Sequence, residues 1–555
     1  DLHRRRHSFP TRRSSDLALT RLKTFPFLMK FHRILYLLLA VSVACFGQKT
    51  SKPKAPKNLK SYPQDTTATY RWVREEIQRA IRAQTQVVTP PIVMPVDARP
   101  PVVENVPTIP VTSAGVKFIA NGTGNSIDFN DPDGISPDKK RQFKSWVQGE
   151  NGVDAVRLAF SWGDYNPREG VYRNDGIERA IKWIKALRPD NPPKIRLLFV
   201  PILGGNDGRI PNGEIQVDNN GNQMDCTYNS LFTTVPSYFS QTATALLGQC
   251  YDVLFPFLKA NFPNDIEVLE LAAGQSEEHY MPFTSQGAGA PCGTYSGIGD
   301  YSQASREAFR KFQQARNKNG VIAELPNVGV TQGYNYNMNY ADERFRDAAA
   351  FWGSGVFGVW DRFRVKVKQH SNFKVGAVIA DIINDQGAKF VFHGFALAGM
   401  LEKCDVFYHS HNLSSDFWYA NLLGSDLYEG TRPNQVISET EVDPYDCGTN
   451  NGFGPINEDF LERSFTKTIE HGVDGIHFSM TWDEGQIGQM KRVIGKVRAR
   501  NIQPKLREGV PTVEVRASEI YQSSQFLDNA WRRAGNDPNN PFAAKVANIK
   551  LINDL

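Results

Sequence analysis

Two pairs of glutamates sit where they could act together. GQSEEHY places Glu277 and Glu278 just past an apolar run at 266–274, and VISETE places Glu439 and Glu441 at the end of another at 435–441. Two carboxyls held a few ångströms apart push their pKa values in opposite directions, so one stays ionised while the other keeps a proton at neutral pH. Such a pair can protonate a leaving oxygen and attack the carbon behind it, as hydrolysis of a glycosidic bond requires. Any one of these glutamates alone reads as a solvated loop carboxylate. Their placement after two runs of the same kind is what suggests chemistry.

Other side chains extend that reading. Arg157 lies inside the apolar run DAVRLAF (154–160), where an unpaired charge would be expensive, so a carboxylate partner is expected. Trp162 and Trp482 follow strand-like runs and suit stacking on sugar C–H faces or packing in the core. Asp381, Asn384 and Asp385 read best as a helix cap. His409 and His411 form an H-x-H pair without a third defined ligand, so no metal is expected. DFNDPDG (128–134) is out of register with a calcium loop, and no cofactor is implied.

The elements that must position these groups are legible as alternating patterns. Eight β-rich runs recur, at 116–122, 154–160, 195–203, 266–274, 373–381, 404–410, 435–441 and 475–482. Amphipathic helical stretches lie between them, among them 136–148, 175–187, 237–262, 457–472 and 484–500. Eight βα units over residues 115–505 predict an α/β fold, a (β/α)8 TIM barrel, with long insertions after strand 3 (204–236) and strand 4 (275–372). No Gly-rich turn of the G-x-G-x-x-G kind follows the first strand, which disfavours a doubly wound sheet.

Taken in order, these motifs resemble the clan A glycoside hydrolases, and within them the family 42 β-galactosidase-like group. VRLAFSWGDYNPREGVYRND (156–175) is similar to that group's second-strand segment, which implies Arg157 supporting the nucleophile and Trp162 opening the pocket. VISETE resembles the strand-7 pattern, which selects Glu439 over Glu441 as nucleophile. CDVFYHSHN (404–412) resembles strand 6, implying Tyr408 or His409 beside the nucleophile, and HFSMTWDE (477–484) implies Trp482 as a stacking floor. YSQASREAFRKFQQARNKNG (301–320) is similar to the helix after strand 4. The resemblance implies Glu277 as acid/base, with Glu278 second. One departure stands out: the family has Asn before its acid/base, and this chain has Ser276, leaving Gln275 or Ser276 to contact the sugar 2-hydroxyl.

The flanking segments bound the rest. His7–Leu17 resembles a translated sequencing adapter, and residues 1–28 read as an assembly artefact. They carry seven basic and two acidic residues, the whole of the formal +5, which removes the charge argument for a nucleic-acid partner. Residues 29–47 read as a signal peptide, with Cys45 a candidate surface tether. No other stretch is long and apolar enough for a membrane span. Residues 48–114 read as a lysine- and proline-rich spacer with one short helix, and 506–555 as a C-terminal extension, truncated at its end. In an exported protein Cys226 and Cys292 could bridge, with Cys447 in a loop on the same face and Cys250 and Cys404 expected as buried thiols. The expectation is a retaining hydrolase acting on a carbohydrate, secreted, periplasmic or on the cell surface. A non-catalytic carbohydrate-binding barrel is its alternative.

Overall fold

A computed structural model describes residues 115–552 apart from 123–125, 204–207, 224–233, 273–298, 317–319, 329, 333–334, 337–341, 381–395, 397–398, 411–435, 445–446, 448–453, 471, 480–481, 503–511 and 517–547. Eight parallel strands close into a barrel: β1 (Lys117–Asn121), β2 (Ala155–Ser161), β3 (Lys194–Val200), β4 (Ile266–Leu271), β5 (Lys374–Ala380), β6 (Val406–Ser410), β7 (Ile437–Val442) and β8 (Gly475–Phe478). Each strand pairs with its sequence neighbours and β8 closes onto β1, the order of a (β/α)8 barrel.

The strands are buried on both faces, so they read as continuous apolar runs rather than alternations. Their outer faces meet helices α1 (Pro137–Val147), α3 (Asn174–Ala186), α4 (Gln241–Asn261), α6 (Glu343–His370), α7 (Glu458–Glu470) and α8 (Glu484–Ala499). In α3 the residues Ile177, Ala180, Ile181 and Ile184 recur at helical spacing and are all buried. α8 starts on a capping box between Asp483 and Gln486, which satisfies two of its first-turn amides. A one-turn α2 (Trp162–Tyr165) follows β2, and α5 (Gln303–Ala315) lies in the segment between β4 and β5. That segment also carries the 28-residue α6, longer than any other helix described. A parallel strand pair, Thr512–Arg516 with Asn548–Ile552, lies in the C-terminal extension.

At the floor of the barrel an aspartate precedes every even-numbered strand: Asp154, Asp265, Asp405 and Asp474. Three of these carboxylates accept an amide from the neighbouring odd strand: Asp154 from Phe118 (2.9 Å), Asp405 from Val375 (2.8 Å) and Asp474 from Ser438 (2.9 Å). Asp265 pairs instead with Lys185 at 2.7 Å. These bonds tie second-residue amides at the N-terminal ends of the strands, and so fix the register from below.

The Asp-rich loop at 128–134 holds no gap for a cation, because the Lys140 ammonium lies 2.7 Å from Asp131 and 2.6 Å from Asp133. No helix among the described residues is long and apolar enough to cross a membrane.

Candidate active site

Paired residues of a parallel sheet point to the same side, so the strand register fixes which side chains share the barrel interior. They fall into layers of four drawn from alternate strands. The register sets Arg196 and Glu439, with Ile119 and Gly376, in one odd-strand layer. Above it the even strands supply Arg157, Glu270, Tyr408 and His477. The next odd layer, toward the strand C-termini, holds Asn121, Leu198, Val378 and Glu441. Barrel interiors are ordinarily filled by Val, Ile and Leu. Here the two middle layers are charged.

Those charges are paired. Both terminal nitrogens of Arg196 donate to the Glu439 carboxylate, Nη2 to Oε1 at 2.6 Å. His477 Nε2 lies 2.8 Å from Glu439 Oε2. Arg157 Nε stands 2.7 Å from Glu270, the carboxylate partner its sequence setting called for. A register irregularity opposite Ile195–Arg196 lets Glu267 reach Arg196 at 3.6 Å and meet Lys117. Two glycines make the room. A Cβ at Gly475 would lie 2.9 Å from the Glu439 carboxylate, and one at Gly376 would lie 2.7 Å from Glu270 Cγ.

Burial alone would push Glu439 up, but Arg196 and His477 outweigh it and hold the carboxyl at about 2. Burial lowers His477, overriding the pull of Glu439, so the imidazole is neutral. The same argument raises Arg196: desolvation opposes its charge, and the carboxylates around it prevail. A buried pair of this kind adds little over an apolar filling, yet breaking it leaves an uncompensated charge.

Glu439 was expected at the strand end. It lies instead in mid-strand, wholly buried, with both oxygens engaged. Glu441, two residues on and therefore on the same face one layer higher, is half-buried at the C-terminal end of β7. Its Oε2 accepts a 2.6 Å hydrogen bond from the Tyr408 hydroxyl. The Tyr408 ring lies 4.1 Å from the His477 ring and 5.1 Å from the Arg157 guanidinium. Around this mouth, Asn121 and Ser479 carry buried oxygens with no partner among the described residues. Ala159, Leu198, Val200, Ala272 and Val378 form an apolar cluster with Tyr408. Among the described residues, the mouth is polar toward β7, β8 and β1, and apolar toward β3–β5.

The structure therefore brings Arg157 and Tyr408 to one interior cluster with Glu441. It does not bring the two tryptophans there. Trp162 is fully buried, its Nε1 donating to Asn166 at 3.2 Å, with Arg209 over its ring. Trp482, expected as a stacking floor, is 2% exposed and packs edge-on against Trp146 and Phe478 on the outer wall. Neither offers a face to a ligand. Glu277, Glu278, Gln275 and Ser276 lie outside the described residues, as do His411, Asp381, Asn384, Asp385, Cys45, Cys226 and Cys292; so does the side chain of His409. Cys250 and Cys404 are buried, and so is Cys447, whose sulfur lies 3.1 Å from the Asp443 carbonyl. No cluster of potential metal ligands occurs among the described residues.

Arg196, Glu270 and His477 were not singled out from the sequence. The signal was available in IRLLFV, IEVLEL and GIHF, where an ionisable residue interrupts a strand buried on both faces and must find its partner inside.

No protein-family model and no curated protein sequence matches the chain. Among solved structures, the catalytic domain of a β-amylase from Paenibacillus polymyxa aligns with 70% of this chain and 100% of that domain, at 13% identity and a TM-score of 0.46. The barrel assignment rests on the strand register and not on that likeness.

Proposed function

We propose that the chain is a secreted retaining glycoside hydrolase in which Glu441, rather than Glu439, is the nucleophile. The observation that carries this is the carboxylate of Glu441 at the C-terminal end of a barrel strand, half-buried and held by the Tyr408 hydroxyl at 2.6 Å. Residues at this end of a barrel are the ones that reach substrate. Glu439, shut in by Arg196 and His477, has neither a free oxygen nor a path to one.

In this reading Glu441 attacks the anomeric carbon while Glu277, with Glu278 as second choice, protonates the departing oxygen. The same acid then deprotonates water to release the sugar. The Tyr408 hydroxyl orients Glu441 and stabilises the carboxylate when it leaves the glycosyl carbon. Gln275 or Ser276 would contact the 2-hydroxyl. No cofactor enters the reaction. Residues 29–47 direct export as a signal peptide, with attachment to the cell surface through Cys45 as the alternative.

The test is a panel of chromogenic glycosides and polysaccharides presented to the mature chain, the Glu441→Gln and Glu277→Gln variants, and Glu439→Gln. Turnover that is abolished by the first two variants supports the reading. A chain that binds carbohydrate but turns over none of the panel is a binding barrel instead.

A further inference from the structure

We propose that Glu439 is a positioning residue that acts through His477 and Tyr408 to hold the Glu441 carboxylate in place. The inference rests on the reading of Glu441 as the reacting group, but its test does not need turnover.

The contacts form one chain across three layers. Arg196 clamps Glu439 with both terminal nitrogens, so that carboxylate cannot rotate. Glu439 Oε2 then lies 2.8 Å from His477 Nε2. Since a carboxylate only accepts, Nε2 carries the proton, which leaves Nδ1 as a lone pair. Nδ1 is buried and has no partner among the described residues. A bare lone pair there costs less than an unsatisfied N–H, and Arg196 Nη1 at 3.5 Å disfavours a second proton. His477 is thereby fixed in tautomer, charge and ring plane. Its ring packs at 4.1 Å on Tyr408, which the Arg157 guanidinium backs from 5.1 Å. The phenol so held donates to Glu441.

Among the described residues, the charged and titratable groups facing this cluster are Arg157 on β2, Arg196 on β3, Glu267 and Glu270 on β4, Tyr408 on β6 and His477 on β8, with Glu439 on the same strand and Asp474 just before β8. Among the described residues β1 contributes the neutral Asn121 to the layer of Glu441. This set makes two accounts give opposite signs. If Glu439 acted on Glu441 only as a nearby charge, removing it would take away a like charge, free Arg196, and make Glu441 a stronger acid. If Glu439 acts through position, removing it loosens His477 and Tyr408, weakens the bond to the carboxylate, and makes Glu441 a weaker acid.

The experiment follows the rate at which a water-soluble carbodiimide and an amine label Glu441 in the full chain, read by tandem mass spectrometry across pH. Only the protonated carboxyl enters the reaction, so the midpoint reports its proton. Tyr408→Phe is expected to raise the midpoint by about 1 pH unit, the loss of one charge-assisted hydrogen bond. Glu439→Gln is expected to raise it by roughly half a unit, and the double variant no further than Tyr408→Phe alone. A Glu439→Gln midpoint that stays or falls, or a double variant that is additive, overturns the proposal. Should Glu439→Gln lose its near-ultraviolet dichroism, His477→Gln replaces it, with the same rise expected and the same results overturning. Absence of turnover in the wild type would sink the hydrolase reading and leave this result standing.

Discussion

The two ends of the barrel use the same residue type in opposite ways. At the floor, Asp154, Asp405 and Asp474 bond main-chain amides of the next strand, so their positions are set by the sheet itself. At the mouth, Glu441 is bonded by a side-chain hydroxyl, and that side chain is held by other side chains. A carboxylate anchored on the main chain can stabilise the fold but cannot easily change its partner. One held by side chains can be tuned by whatever lies beneath it, and the charged middle layers lie beneath Glu441. This contrast separates fold from chemistry within one strand set.

The largest expected effect falls at the mouth. Glu441→Gln should lower turnover by about 10⁴-fold or more, as for removal of an attacking group. Its urea midpoint should stay close to that of the wild type, because the side chain is only half-buried. A loss of stability without loss of turnover would reverse the comparison.

Next come the middle layers. Arg196→Met should cost about 3–5 kcal/mol in urea unfolding, since Glu439 is left buried and unpaired. Arg196→Met with Glu439→Leu should recover most of that, because an apolar filling replaces the pair. A double variant as unstable as the single one would mean the pair itself stabilises the barrel.

At the floor, Asp405→Ala should cost about 1–2 kcal/mol, the loss of the bond to the Val375 amide together with the exposed ion pair to Lys368, and leave kcat unchanged. The most gradual effect is in the pH dependence of stability, a slope of at most about 1.4 kcal/mol per pH unit for one proton. Burial raises Asp474 to about 6 from 3.8, so the folded chain holds the extra proton between these values and stability falls as pH rises through that window. Glu439 is held at about 2 against 4.5, so its contribution is full above 4.5 and lost as pH falls toward 2. Asp474→Asn should flatten the upper window and Glu439→Gln the lower. Urea midpoints measured from pH 3 to 7 would show whether each slope disappears with its own residue.

Much of the fold was legible because strands buried on both faces announce themselves as apolar runs. All eight runs coincide with barrel strands to within a few residues, the third, fourth and eighth overshooting β3, β4 and β8, which end at Val200, Leu271 and Phe478. α6 escaped notice because Phe351, Trp352, Val356, Val359, Trp360 and Phe363 are buried around much of its circumference, which blurs the amphipathic stripe. The site was harder. Alternation establishes that Glu439 and Glu441 share a face, but their height in the barrel depends on the stagger between strands, a tertiary quantity. The tryptophans misled for a related reason: a large aromatic just past a strand serves equally in the outer wall, as Trp482 does against Trp146.

The central claim is that Glu441 and not Glu439 forms the bond to sugar. A series of 2-deoxy-2-fluoroglycosides with good leaving groups tests it directly, because the fluorine destabilises the oxocarbenium-like transition states and lets a covalent glycosyl–enzyme species accumulate. Fragmentation of the β7 peptide should place the sugar on Glu441. A sugar on Glu439, or no adduct from a reagent whose parent glycoside the wild type hydrolyses, would contradict the account.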